Sequence, residues 1–255
     1  MMVEAILDLF HSKTLSGSVI AVIYDTYSSA WQIPFLLLRD SLGKGYFPVI
    51  SNYSVSFNSL IHRGRSVGLD LKTELDEGRM AVVDVFGSRY SPVHANIPGV
   101  FYLDKVEPET INPKIDIIYS QLREELGEDT KLFRLIYTLD GVSIMFGEEK
   151  TIKLLNQTIA EKSVKCPESV LLIALNSDVV SKRSVAWTVN LSDYALLARS
   201  RVTEEGVKEL LYPLKSTSVD FEPKVYSLEV RKGEERIHLE KLSTPELRPP
   251  AEEQR

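Results

Sequence analysis

The spacing of apolar positions along this chain switches repeatedly between the helical and the extended period, and each switch marks an element. Val3, Ile6, Leu7 and Phe10 fall at i, i+3, i+4 and i+7, the stripe of an amphipathic helix. Residues 18–24 then form an apolar run, Ser-Val-Ile-Ala-Val-Ile-Tyr, read as a buried strand. Helical spacing returns over residues 30–42 with Ile33, Leu36 and Leu37. Pro34 lies near its first turn, where a missing N–H costs little. A second strand is predicted at 46–50. Ser54 or Ser56 can cap a third helix bearing Phe57, Leu60 and Ile61, and a strand at 80–85 lies between Gly78 and Gly87.

From 88 to 110 the pattern breaks into turn residues (Pro92, Asn96, Pro98) and a short strand at 100–103, read as an insertion or hairpin at the sheet edge. A helix follows from Pro113, with Ile115, Ile118, Leu122 and Leu126 on one face and Gly127 past its end. Residues 132–139 read as a strand and 148–160 as a helix. The run 169–175 is apolar enough for a parallel strand buried on both faces, and 181–189 reads as a short helix. The last quarter changes character. Segments 193–202, 206–214, 224–230 and 236–242 alternate as strands joined by short turns, including Lys232-Gly233, and predict an antiparallel meander. Residues 243–255, with paired prolines and a charged end, read as a disordered tail. Alternating strands and helices followed by an all-strand end predict a three-layer α/β domain over 1–242: a mostly parallel sheet, helices on both faces, and an antiparallel C-terminal extension.

Composition narrows the function classes. Net charge is −6, so no global basic field draws the chain to nucleic acid or anionic lipid. A local patch at His62-Arg63-Gly64-Arg65 is the exception, although basic residues at a helix end also complement the dipole. The single cysteine, Cys166, excludes an intramolecular disulfide framework and a multi-cysteine zinc site. The four histidines share no i,i+4 pair. No apolar run approaches a membrane span, and the N-terminus does not resemble a secretion signal, so a cytoplasmic protein is expected. Many Glu, Lys and Arg beside few Asn and Gln fit a thermophile source.

The order and spacing of elements resemble the RecA superfamily, specifically its archaeal KaiC-like branch, over about residues 17–76 and 134–230. Gly17-Ser18 opens the first core strand as chains of that family do, and Gly17 to Gly45 matches the family's span from pre-strand glycine to the glycine after the P-loop helix. Gly68-Leu69-Asp70-Leu71, Leu135-Ile136-Tyr137-Thr138-Leu139 and Leu211-Tyr212-Pro213-Leu214-Lys215 resemble further family segments. The resemblance implies a RecA-like fold and, in intact members, ATP hydrolysis. That chemistry needs glycines to wrap phosphate, a lysine to neutralise it, and a hydroxyl and an acid for magnesium. In the matching register the Walker A positions are Tyr24, Ser29, Ala30 and Trp31, the Walker B acid is Tyr137, and the water-activating acid is replaced near Asn52-Tyr53. Lys215 stands where the family places a lysine that reaches a neighbour's nucleotide, but the basic residue two positions on is Thr217.

A non-hydrolysing member is therefore expected, with no ATP or magnesium bound. It would act by protein–protein association, as a homodimer or larger assembly or with an unknown protein partner. The competing reading is an enzyme or ligand-binding protein with a rebuilt strand-end crevice. Its candidate residues are Asp25, Thr26, Ser28 and Ser29 in the loop, Asp84 and Tyr137 at strand ends, and Lys215. For Ser28 or Ser29 the alternative is a helix cap, and for Asp84 a turn that receives Arg89 or a backbone N–H. A nucleic-acid-binding accessory is a weaker third reading, suggested by the family alone.

Overall fold

A computed structural model describes residues 2–94, 96–204, 206–230 and 237–242. The expected tail at 243–255 and the Lys232-Gly233 turn lie outside them. Among the described residues, ten strands form one sheet in the order β10-β9-β8-β7-β1-β6-β5-β2-β3-β4. The strands in chain order are β1 (Val19–Tyr24), β2 (Tyr46–Asn52), β3 (Ala81–Asp84), β4 (Val100–Phe101), β5 (Lys131–Tyr137), β6 (Val170–Asn176), β7 (Tyr194–Thr203), β8 (Gly206–Lys215), β9 (Tyr226–Val230) and β10 (Ile237–Lys241). From β7 to β4 every pairing is parallel, whereas β7–β8, β8–β9 and β9–β10 are antiparallel.

Side-chain alternation along β1 assigns the two faces. Ile20, Val22 and Tyr24 pack into one core with α1 (Met2–Leu9), α2 (Ile33–Leu42), α3 (Phe57–Arg65) and α4 (Leu71–Asp76). Val19, Ala21 and Ile23 face the other core, shared with α6 (Ile111–Leu126), α7 (Leu139–Phe146), α8 (Glu148–Lys165) and α9 (Lys182–Leu191). Both faces being covered explains the uninterrupted apolar run of β6, whose Val170 to Leu175 are all buried. Each Val, Leu or Ile of that run contributes about 1.5–3 kcal/mol relative to exposure.

Three differences from the sequence reading have local causes. The helix expected at 30–42 begins as a 3-10 turn, Ser29–Gln32, capped by Ser28, whose Oγ accepts the Ala30 N–H at 3.1 Å. Segment 88–110 is not a hairpin: it starts inside α5 (Val85–Tyr90), and its strand β4 joins β3 in parallel, so a crossover carries the chain to the edge. The strand expected at 132–139 ends at Tyr137, because Thr138 caps α7 by accepting the Gly141 N–H at 3.2 Å.

Gly64 marks a close approach between α3 and α4. A Cβ there would lie 1.8 Å from Leu71 Cδ1 and 2.8 Å from the Leu69 carbonyl oxygen, so only hydrogen fits.

Candidate functional site

The loop after β1 is held by carboxylates of its own chain. Glu209 Oε2 accepts the Ser29 N–H at 2.7 Å and the Ser28 hydroxyl at 2.7 Å. Asp178 Oδ2 accepts the Thr26 N–H at 2.9 Å. Asp25, nearly buried, accepts the Ser200 N–H at 2.6 Å and also its hydroxyl. Ser200 and Glu209 are cross-strand partners in the β7–β8 pair. One rung of the antiparallel extension thus clamps both ends of the loop. The N–H groups that would face a phosphate in a P-loop here face Glu209 and Asp178, and a bound phosphate would have to displace these anions.

Tyr137 belongs to a second network. Its ring is fully buried, in edge contact with Phe35 at 5.0 Å between centroids. Its hydroxyl accepts a hydrogen bond from Arg63, whose guanidinium lies 5.5 Å from the Trp31 ring centroid and 5.6 Å from that of Tyr137. Burial raises the Tyr137 pKa, partly opposed by Arg63, so the phenol stays protonated and offers no charge to a metal. Asp140, in the first turn of α7, accepts the Asn176 N–H at 2.9 Å, and burial raises its pKa despite this bond and the nearby Arg63.

Asp84 sits in a third network at the end of β3. Its Oδ1 accepts from Asn52 Nδ2 at 2.8 Å and from the Gly87 N–H at 3.0 Å, which caps α5. Burial raises its pKa, against those bonds and the charge of His94. Arg89 does not reach it and donates instead to the Val106 carbonyl at 3.0 Å. His94 stacks on Tyr102 with ring centroids 4.3 Å apart, an aromatic neighbour of Asp84 that spacing along the chain did not suggest.

Lys215 lies at the other end of the sheet, paired with Ala195 near the start of β7. It donates to the carbonyls of Asn190 at 2.8 Å and Val189 at 3.4 Å, where its charge complements the C-terminal end of α9. The candidate residues therefore fall into separate networks. Asp25, Thr26, Ser28 and Ser29 share the loop, Tyr137 and Asp84 flank Asn52 across adjacent strands, and Lys215 stands apart. The basic patch is dispersed as well. Arg63 turns inward to Tyr137, and Arg65 lies 3.8 Å from Asp70. Among the described residues no group of three or more His, Cys, Asp or Glu could hold a metal ion, and no helix is long and apolar enough to cross a membrane.

Sequence reasoning missed Glu209 and Asp140, and read Arg63 only as part of a local basic patch. Glu209 carried a usable signal: it shares a strand face with Leu211, which is fully buried, so an acid there points at the protein rather than at water.

Beside these networks, the strand ends open into two clefts of about 330 and 440 Å³ that share Phe86 and Tyr90. The first also takes in Ile144 and Met145 of α7, and the second Val93 and Tyr102. Tyr90 is 54% exposed, Ile144 69% and Val93 78%, so the clefts present an exposed apolar surface.

The chain matches a solved structure of a KaiC-like protein, PH0186 from the hyperthermophilic archaeon Pyrococcus horikoshii OT3, with a TM-score of 0.68 at 12% identity, covering 92% of this chain and 94% of that one. It has a KaiC-like fold. A second match is the uncharacterized protein PH0321 from Pyrococcus horikoshii, crystallised in complex with an unknown peptide, with a TM-score of 0.79 at 22% identity over 93% of this chain and 97% of that one. No protein-family model and no curated protein matches the chain. At these identities the likeness concerns the KaiC-like fold alone.

Proposed function

We propose that this chain is a non-hydrolysing protein of KaiC-like fold that acts by docking a peptide segment of a partner protein at the ends of β2, β3 and β5. The observation that carries the first half is the engagement of the Ser29 N–H and Ser28 hydroxyl by Glu209. A phosphate entering there would meet a carboxylate at hydrogen-bond distance. It would also find no lysine from the loop, no hydroxyl at Trp31 and no acid at Tyr137 to bring magnesium. ATP and magnesium are accordingly not ligands of this chain.

The second half rests on the paired clefts around Phe86 and Tyr90, whose rings lie 4.9 Å apart between centroids. Volumes of this order accept one or two side chains, and aromatic walls with a few polar groups suit an extended peptide carrying an apolar anchor. PH0321, of similar fold, was crystallised with a peptide, which supports this choice of occupant. Panning a random peptide display library tests it. The protein should enrich sequences with an apolar or aromatic anchor, and a Tyr90→Ser, Ile144→Ser variant that remains folded should not. No enrichment, or equal enrichment by both proteins, would overturn the reading. If the enriched motif occurs in this chain, the partner is a second copy.

A further inference from the structure

On the face of the sheet opposite α2, a small cavity lies between β5, α6 and α8. It has a volume of about 30 Å³ and is lined by Ser51, Tyr53, Tyr119, Arg134, Lys162 and Cys166. Arg134 sits in the middle of β5 and is only 8% exposed, yet among the described residues its Nε has no hydrogen-bond partner. Its guanidinium carbon is 4.1 Å from the centroid of the Tyr119 ring, which shields the charge on one side without accepting its N–H groups. Lys162, 4% exposed, lines the same cavity and spends one donor on the Gly17 carbonyl at 2.6 Å. Burial and the charge of Arg134 both lower the Lys162 pKa, which places the two cations within electrostatic reach of each other.

A nearly buried guanidinium near a second buried cation is an expensive arrangement: Asp193 and Glu168 oppose the fall of the Lys162 pKa, but the Arg134 Nε keeps no partner among the described residues. The acids of the cavity wall do not pair with Arg134. Asp116 ion-pairs with Lys165, and Glu161 lines the cavity without ion-pairing Arg134. The remaining wall supplies hydroxyls. Ser51 Oγ and Tyr119 Oη are 3.3 Å apart, and Tyr53 is buried with its phenol held protonated, so each can donate.

We propose that this cavity is a binding site for one small monovalent anion, of halide or formate size, held by Arg134 and Lys162 with the hydroxyls of Ser51, Tyr53 and Tyr119 as further donors. The volume sets the size class. A water needs about 10–15 Å³ measured in this way, so the site holds one small species and no phosphate ester. The anion offsets one of the two positive charges of Arg134 and Lys162 and fastens β5 to α6 and α8. It is independent of the loop held by Glu209, which lies at the ends of the strands.

Two measurements on the full chain test this. Crystals soaked in sodium bromide should give an anomalous peak within hydrogen-bond distance of the Arg134 guanidinium. Thermal unfolding followed in chloride or in formate, with gluconate holding ionic strength constant, should show a melting temperature that rises and saturates. The Arg134→Met variant, which keeps the stem and removes the charge, should lose that rise, and Arg134→Lys should retain it at higher anion concentration. A rise in chloride alone identifies a halide site, and a rise in formate alone a carboxylate site. A missing bromide peak together with no saturable response to chloride or formate would overturn the proposal, as would parallel responses of the wild type and Arg134→Met. Should the Met variant fail to fold, the bromide soak and formate titration of the wild-type protein decide alone.

Discussion

Glu209 on β8 lies directly opposite Ser200 on β7, and the two grip the loop after β1 from a single rung of the sheet. Ser200 donates to Asp25 at the start of the loop, and Glu209 accepts from Ser28 and Ser29 at its end. In a strand–loop–helix built to hold phosphate, loop donors are left free for the ligand. Here the C-terminal antiparallel extension supplies the anion, so the loop is closed by its own chain.

Removing that anion should weaken the fold. Glu209→Ala leaves the half-buried Ser29 N–H without its acceptor and should cost about 1–2 kcal/mol. Glu209→Gln keeps an accepting oxygen and should cost less. Urea unfolding midpoints check both, and an Ala variant as stable as the wild type would show that the clamp is incidental.

The Arg63–Tyr137 bond should behave as a coupled pair. Tyr137→Phe leaves the guanidinium without its side-chain acceptor and should cost about 1–3 kcal/mol. In a double-mutant cycle with Arg63→Met, the combined loss should fall short of the sum by about 1 kcal/mol. Additive losses would mean that the contact contributes nothing beyond packing.

Asp140 predicts a pH dependence of definite sign. Burial raises its folded-state pKa above the ordinary 3.8, so the native protein binds the proton more tightly than the unfolded chain. Its contribution is fully present below 3.8 and is lost as pH rises through the elevated folded value. Asp140→Asn keeps an oxygen for the Asn176 N–H and loses the buried charge, so it should gain relative to the wild type as pH rises across that window. Denaturation midpoints from pH 3 to pH 7 should therefore diverge upward for the variant. A constant offset between the two curves would contradict the assignment.

Gly64 tests the α3–α4 contact. Gly64→Ala should destabilise by about 1–3 kcal/mol, because Leu71 and the Leu69 backbone occupy the space a methyl would take. A neutral result by thermal unfolding would show that α4 can move away.

The sheet was legible where burial imposes a pattern. The apolar runs of β1 and β6 sit between helical layers, and the alternation expected over residues 206–214 belongs to β8, where Leu211 is buried and Leu214 exposed. Helices α5 and α7 were not, because each starts one or two residues after a buried strand. From Leu132 to Phe146 apolar residues occur in nearly every turn and strand position, so no change of period separates β5 from α7, and the boundary is set by the Thr138 cap. The missing phosphate-loop residues were plain in the sequence. What fills their place was not, since Glu209 arrives from 180 residues along the chain, and its contact with Ser29 depends on the register of β7 against β8. Asp84 was legible as a strand-end acid, but its role as the α5 cap depends on Asn52 and Gly87 brought in by the β2–β3 pairing.

A loop clamped by its own carboxylate should support no ATP hydrolysis. The direct measurement is phosphate release by the purified protein at saturating ATP and magnesium, run beside Asp25→Ala and Lys215→Met. Release should be no faster than the buffer control for all three. Turnover by the wild type that disappears in either variant would contradict it.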